Sequence, residues 1–278
     1  MAARFPGFPA QGLTFLQELK ANNTREWFTP RKAIFEESVK APMVALVEAV
    51  NAELAGFAPE YLTEPAKAVY RIYRDTRFSN DKTPYKTHIA ANLHKQGADK
   101  HAAAGYYFSV GAEEIEIAAG VYMPGPEELL RLRQHISEHF EEFSKLAADK
   151  TVTKLVGTLQ GEALSRPPKG FSAEDPALEW IKKKQWYYYK TDLDLGLART
   201  PKLLPEIVKR LSGRRSCPKC QATFHVEFAP SRKGVSCDRC GEALVQRSDD
   251  QREAIETRLR VYEEQTAPLI SYYDTKNM

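Results

Sequence analysis

An α+β fold, with helices packed on a mainly antiparallel sheet, is predicted by two features of this sequence. Apolar residues recur at helical spacing through residues 5–60, and from Ala66 the pattern changes to alternation rich in Tyr, Ile and Val. A third feature stands apart: all four cysteines fall in two pairs between residues 217 and 240. They predict a small zinc-ribbon module after the main domain, with a C-terminal helix behind it.

The elements follow in order. Leu13, Leu16 and Leu19 mark a first helix that the polar run "ANNT" ends. Pro30 suits the first turn of a second, whose apolar stripe includes Ile34, Val39, Met43, Leu46, Val50 and Leu54. Pro42 is expected to bend that helix or restart it. Strands are expected at "AVYRIYRDTRF", "THIAANLH", "GYYFSV" and "EIEIAAGVYMP", the last two joined by a turn at Gly111. A long helix should start near Pro126, with Leu129, Leu132, Ile136, Phe140 and Phe143 on one face. A shorter helix is expected over 152–160, and Asp175 is a candidate N-cap ahead of Pro176. "QWYYYK" returns as a strand. The two prolines of "TDLDLGLARTPKLLPE" mark a boundary, so the chain divides into a domain over 5–200 and a segment over 206–273. That segment opens on a short helix into "VKRLSGRR" and closes on a helix from about Asp250 to Tyr273.

Composition narrows the function classes. A net charge of +3, from 40 basic and 37 acidic residues, gives no bulk case for nucleic acid as a partner. No apolar run reaches the roughly 18 residues of a membrane helix, and "MAARFPGFPAQG" has no apolar core for a signal peptide. A cytoplasmic protein is expected.

Cys217 and Cys220 are two residues apart, as are Cys237 and Cys240, with sixteen residues between the pairs. Two such knuckles complete a tetrahedron around one zinc ion, whereas a disulfide framework would spread its cysteines through the fold. Four thiolates leave no open position, so this zinc should be structural. A module of about forty residues has too little core to fold alone.

The strings "VKRLSGRR", "CPKC", "TFHVEF", "CDRC", "LVQRSDD" and "RLRVYEEQTAPLISYY" make residues 206–273 resemble the zinc-bearing lid and following helix of bacterial adenylate kinases. The resemblance implies contact with ATP accompanied by Mg2+. By motif position, Arg210 and Arg214 would face the ATP phosphates, and Thr223 and Phe224 the adenine and ribose. Arg247 and Arg258 would reach phosphates nearer the acceptor nucleotide. The kinase core is another matter. These 278 residues contain no G-x-x-x-x-G-K-[ST] loop, and the expectation is that the chain, which stops at "DTKNM", is not by itself a competent adenylate kinase.

The segments "GLTFLQELKANNTREWF", "YRIYRDTRFSNDKTPYKTHIAANL", "GYYFSV" and "RPPKGFSAEDPALEWIKKKQWYYYK" resemble a different family, domain-of-unknown-function 2461. The resemblance implies that the lid segment replaces the closing helix of that domain at about residue 200. Within the distinctive string, Arg71, Arg74, Arg77, Lys82 and Lys86 are candidates for an anion site. The competing reading is an ion-pair network in which Asp75 and Asp81 pin a turn. The run "WYYYK" reads as strand core; a stacking role would need Tyr187 or Tyr189 exposed beside the basic strip. His135 and His139, four apart, read as a solvated helix face.

Three functions stay open: an α+β domain whose zinc lid senses ATP or another phosphate ligand, a nucleotide phosphotransferase whose core comes from a partner or an unfamiliar phosphate site, and a zinc-stapled interaction tail left by gene fusion.

Overall fold

The computed structural model describes residues 5–97, 103–212, 214–216, 223–225 and Cys240. They fall in two compact units, Arg4–Gly213 and a second containing Arg214–Met278.

The larger unit is a five-stranded antiparallel sheet with helices, as the sequence predicts. The strands are β1 (His88–His94), β2 (Gly105–Gly111), β3 (Ile115–Val121), β4 (Leu159–Gln160) and β5 (Trp186–Lys190), in the order β1-β2-β3-β5-β4. The β2–β3 hairpin closes where Gly111 N–H donates to Glu114 O at 2.9 Å. Period-two alternation sends Ile89, Leu93, Tyr106, Phe108, Ile115 and Ile117 to one face, all buried. On that core pack α1 (Ala10–Ala21) and α4 (Ala41–Leu54) through Leu16, Leu19, Met43, Leu46 and Val50. Between them run α2 (Arg25–Phe28), α3 (Lys32–Phe35) and a π-helical turn at Glu36–Lys40. Pro42 lies in the first turn of α4, so the stripe restarts there, as a residue without an N–H requires.

Several expectations are corrected. "AVYRIYRDTRF" is not a strand: α5 (Pro65–Ala68) is followed by extended chain with only single bridges, Val69 to Ala91 and Tyr73 to Tyr85. The Tyr73–Tyr85 bridge is flanked by bonds from Arg74 N–H to Pro84 O at 2.9 Å and from Lys86 N–H to Ile72 O at 2.8 Å. The Asn23 side chain holds the other edge of Tyr85: its amide donates to Tyr85 O at 2.9 Å and its oxygen accepts from Tyr85 N–H at 3.0 Å. The long helix is two, α6 (Pro126–Glu138) and α7 (Phe140–Ala147), broken at His139, whose φ and ψ are −120° and 33°. Its apolar face survives the break: Ile136 is buried, and Phe143 meets Trp180 edge-to-face at 5.3 Å. The next helix, α8 (Lys150–Val156), stops at Gly157 (φ +84°), and Leu159 and Gln160 pair with β5 instead. Asp175 Oδ1 accepts from Ala177 N–H at 2.8 Å and turns the chain into the short α9 (Leu178–Ile181), which begins beyond the expected cap.

The last correction concerns the domain's end. Helix α10 (Leu203–Ser212), expected to open the C-terminal segment, buries Leu203, Leu204, Ile207 and Leu211 in the main core. It packs on α4, so the closing helix is present rather than replaced. In the second unit, β6 (Arg214–Ser216) pairs antiparallel with β7 (Thr223–His225), Ser216 opposite Thr223. Residues 217–222, with Cys217 and Cys220, link these strands in sequence. The expected helix over 250–273 lies outside the described residues.

Candidate functional site

The sheet face turned away from the main core carries His88 and Asn92 of β1, Tyr107 and Ser109 of β2, and Glu116, Ala118 and Gly120 of β3. Tyr187 and Tyr189 of β5 sit opposite Gly120 and Ala118. Small residues in the middle of the sheet leave a hollow there, a cavity of about 460 Å³. Its walls are phenol rings: Tyr70, Tyr107, Tyr122, Tyr187 and Tyr189. Tyr122 meets Tyr187 edge-to-face at 5.5 Å, and Tyr70 lies 6.3 Å from Tyr107. Volume and lining match small-molecule sites in general.

Glu116 is the one charged group among the described lining residues. Its Oε2 accepts from Ser109 Oγ at 2.9 Å and from the Tyr107 hydroxyl at 3.3 Å. No described cation stands within ion-pair distance of it. His88 feels the Glu116 charge, but burial dominates and pushes the imidazole below its ordinary value. Asn92, also in the lining, has a buried Oδ1 with no hydrogen-bond partner among the described residues.

Burial raises the phenols. Tyr70 is pushed up to about 12; Tyr189 is also raised to about 12, by burial and then by the charges of Glu116 and Glu114; Tyr107 moves the same way for the same two reasons, burial and Glu116. A raised phenol favours the fold while protonated. The contribution is complete below the ordinary value of 10.0 and is lost as pH rises through about 12. Absorbance titration at 295 nm should therefore show a late group of tyrosines, Tyr70 and Tyr189 among them, ionising together with alkaline unfolding. A single early transition for every tyrosine would contradict the burial of these rings.

The basic string forms a turn beside this face. Arg74 is tied to Asp81 and to the Thr83 hydroxyl, and Arg77 grips Asp75 through two bonds of 3.0 and 2.7 Å. Hydrogen bonds from the Arg77 side chain and backbone hold the Asp75 carboxyl at about 2; the Thr83 N–H and then Arg74 do the same for Asp81. Lys82 Nζ donates to Thr76 O at 2.9 Å, and Lys86 stands over the Tyr70 ring, 5.0 Å from its centre. Arg71 is exposed, with no ion pair among the described residues; burial and then the Arg71 charge push Lys86 below its ordinary value. Three of the five candidate cations thus have partners inside the turn itself.

Arg210 lies on α10 and is nearly covered, paired with Glu206 at 2.6 Å and Asp192 at 3.4 Å. Burial would raise Asp192, but the Lys190 hydrogen bond and the Arg210 charge outweigh it and hold that carboxyl below its usual range. Arg214, Thr223 and Phe224 are placed by backbone on the β6–β7 ribbon, and Cys240 is an exposed turn residue. Cys217, Cys220, Cys237, Arg247 and Arg258 lie outside the described residues. Among the described residues no group of three or more His, Cys, Asp or Glu could hold a metal, and no helix is long and apolar enough to cross a membrane. The cavity itself was missed by sequence reasoning. Its trace is the run of small and polar residues at every second position of "GYYFSVG" and "IEIAAGV".

Residues 11–215 match the family described as conserved hypothetical protein (DUF2461). The chain belongs to this family. The DUF2461 match ends where the larger compact unit ends, and residues 214–249 match the adenylate kinase active-site lid. The protein is 55% identical over 73 residues to adenylate kinase of Citrifermentans bemidjiense and 58% identical over 73 residues to that of Pelobacter propionicus. It is 51% identical over 71 residues to the adenylate kinase of Thermoanaerobacter sp.. Each alignment takes in 26% of this chain, and 34%, 33% and 33% of the respective relatives. The DUF2461 protein thus spans about a third of the length of the curated relatives it matches.

Proposed function

We propose that this DUF2461 protein carries a zinc-stapled lid that binds an adenine nucleotide through its phosphates. The supporting observation is the match of residues 214–249 to an adenylate kinase lid, a segment that holds two Cys-x-x-Cys pairs with Arg214 and Arg247 at either end. The donor set fits zinc. Cys217, Cys220, Cys237 and Cys240 would fill a tetrahedral thiolate site, and the metal would supply folding energy rather than chemistry. The β6–β7 pairing sets Ser216 opposite Thr223, the two residues that flank 217–222 in sequence.

Guanidinium groups suit phosphate because their planar fork donates two parallel bonds and never loses its charge. Arg214, Arg247 and Arg258 would supply this recognition. Arg210 would contribute little, since Glu206 and Asp192 already hold its guanidinium. The proposal is binding and not phosphoryl transfer, because an arginine assists transfer only where ATP and magnesium are already positioned.

Calorimetric titration of ATP and ADP into the zinc-loaded protein tests this. Binding at about 10–100 μM is expected, with Arg214→Ala weakening it by about tenfold or more, the worth of one charge-assisted contact. An absence of binding at roughly millimolar nucleotide, about 4 kcal/mol of standard free energy, would overturn the reading and leave the segment as an interaction tail.

A further inference from the structure

The lid reading leaves the sheet-face cavity without a role, and the cavity's chemistry is of the opposite sign to a phosphate site. A half-buried carboxylate, Glu116, faces it with no described cation in ion-pair range, held by hydroxyl donors from Ser109, Tyr107 and Tyr189. The described lining has no Lys, Arg or His. Its rings present electron-rich faces, and one of them already receives a cation: Lys86 lies over Tyr70, outside the lining. The Asn92 Oδ1 adds an acceptor with no described partner. Unspent acceptors and π faces around one uncompensated negative charge select a positively charged ligand that donates hydrogen bonds or is softly cationic. The other end is apolar, formed by Met123, Tyr122 and Tyr187, and Met123 and Tyr122 are both more than half exposed, so the cavity is open to entry there.

We propose that this cavity binds a small organic cation, an amine or quaternary ammonium whose charge lies against Glu116 and the Tyr107 and Tyr189 rings while its apolar body lies along Tyr122, Tyr187 and Met123. The described lining lies within Arg4–Gly213, and nucleotide phosphates are not expected to compete for it.

A charge series on one shape tests the assignment. Phenethylamine, benzyltrimethylammonium, phenethyl alcohol and phenylacetate are titrated by calorimetry into the full chain, and again into Glu116→Gln. The two cations should bind at least about tenfold tighter than the neutral alcohol, with phenylacetate weakest, as expected when a carboxylate and ring quadrupoles both act on the charge. Glu116→Gln should reduce that preference to about twofold while leaving the alcohol unchanged, because the rings remain. Equal binding of alcohol and amine, tighter binding of phenylacetate, or no binding of either cation at about 10 mM would each overturn the proposal. The series on the unaltered protein decides the matter even if the glutamine variant does not fold.

Discussion

Gly120→Ala is expected to destabilise the DUF2461 unit by about 3–5 kcal/mol, lowering its melting temperature by roughly 10 °C. Gly120 sits on β3 with φ at +140°, a conformation that costs any L side chain. The larger penalty is steric. A Cβ at this position would lie 2.2 Å from Trp186 O and 2.6 Å from Tyr187 Cα. Both are backbone atoms of the neighbouring strand, so no rotamer change relieves the clash; β3 and β5 must separate. Their pairing places Tyr187 and Tyr189 across the cavity, so the same substitution should also abolish amine binding. Gly170→Ala is the control: its φ is +91°, but nothing lies within 4 Å of the added carbon. It should cost only the conformational part, about 1 kcal/mol. Thermal or urea unfolding of the two variants separates the contributions, and equal losses would show that strand contact at Gly120 is not the cause.

On the proposed zinc reading, removal of the metal is expected to unfold the lid and spare the rest. Structural zinc in small domains supplies apparent binding energies of about 10–16 kcal/mol, far above what a segment of about forty residues gains from its own core. Chelation, or Cys237→Ser, should therefore open residues 214–273 to proteolysis, with the first cuts near the ends of "SCPKCQ" and "SCDRCG". The unit Arg4–Gly213 should persist as a resistant fragment, because its core contains no cysteine and closes on α10. Mass spectrometry of the fragments, with metal analysis of the intact protein, reads both halves of the expectation. Unchanged cleavage after complete zinc removal would rule out the staple.

Much of this was legible in the chain. Apolar spacing marked α1 and α4, and alternation marked β1, β2, β3 and β5, because those signals depend only on which side of an element meets the core. The string around "RDTRFSNDKTPYK" was enough for the family. The errors share one cause. "AVYRIYRDTRF" has strand composition, yet it makes only single bridges, Val69 to Ala91 and Tyr73 to Tyr85, because where it lies is decided by packing against segments remote from it in sequence. The helix over 126–148 has an unbroken apolar face, but reaching Trp180 turns the chain at His139.

For the site, the sequence by itself determined which residues can carry charge, metal or aromatic surface. Only the tertiary structure decided which of them act together. Residues 71–86 look like an anion site as a string; in the fold Asp75, Asp81 and Thr76 take up Arg77, Arg74 and Lys82, because carboxylates two and seven residues away reach them at no cost in chain closure. Glu116, one residue in an alternating strand, becomes the single described charge of a tyrosine-walled cavity because Ala118 and Gly120 leave space beside it and the covering helices pack on the other face. Which face of a sheet is covered is a property of long-range packing, and alternation is the same whichever face the helices choose.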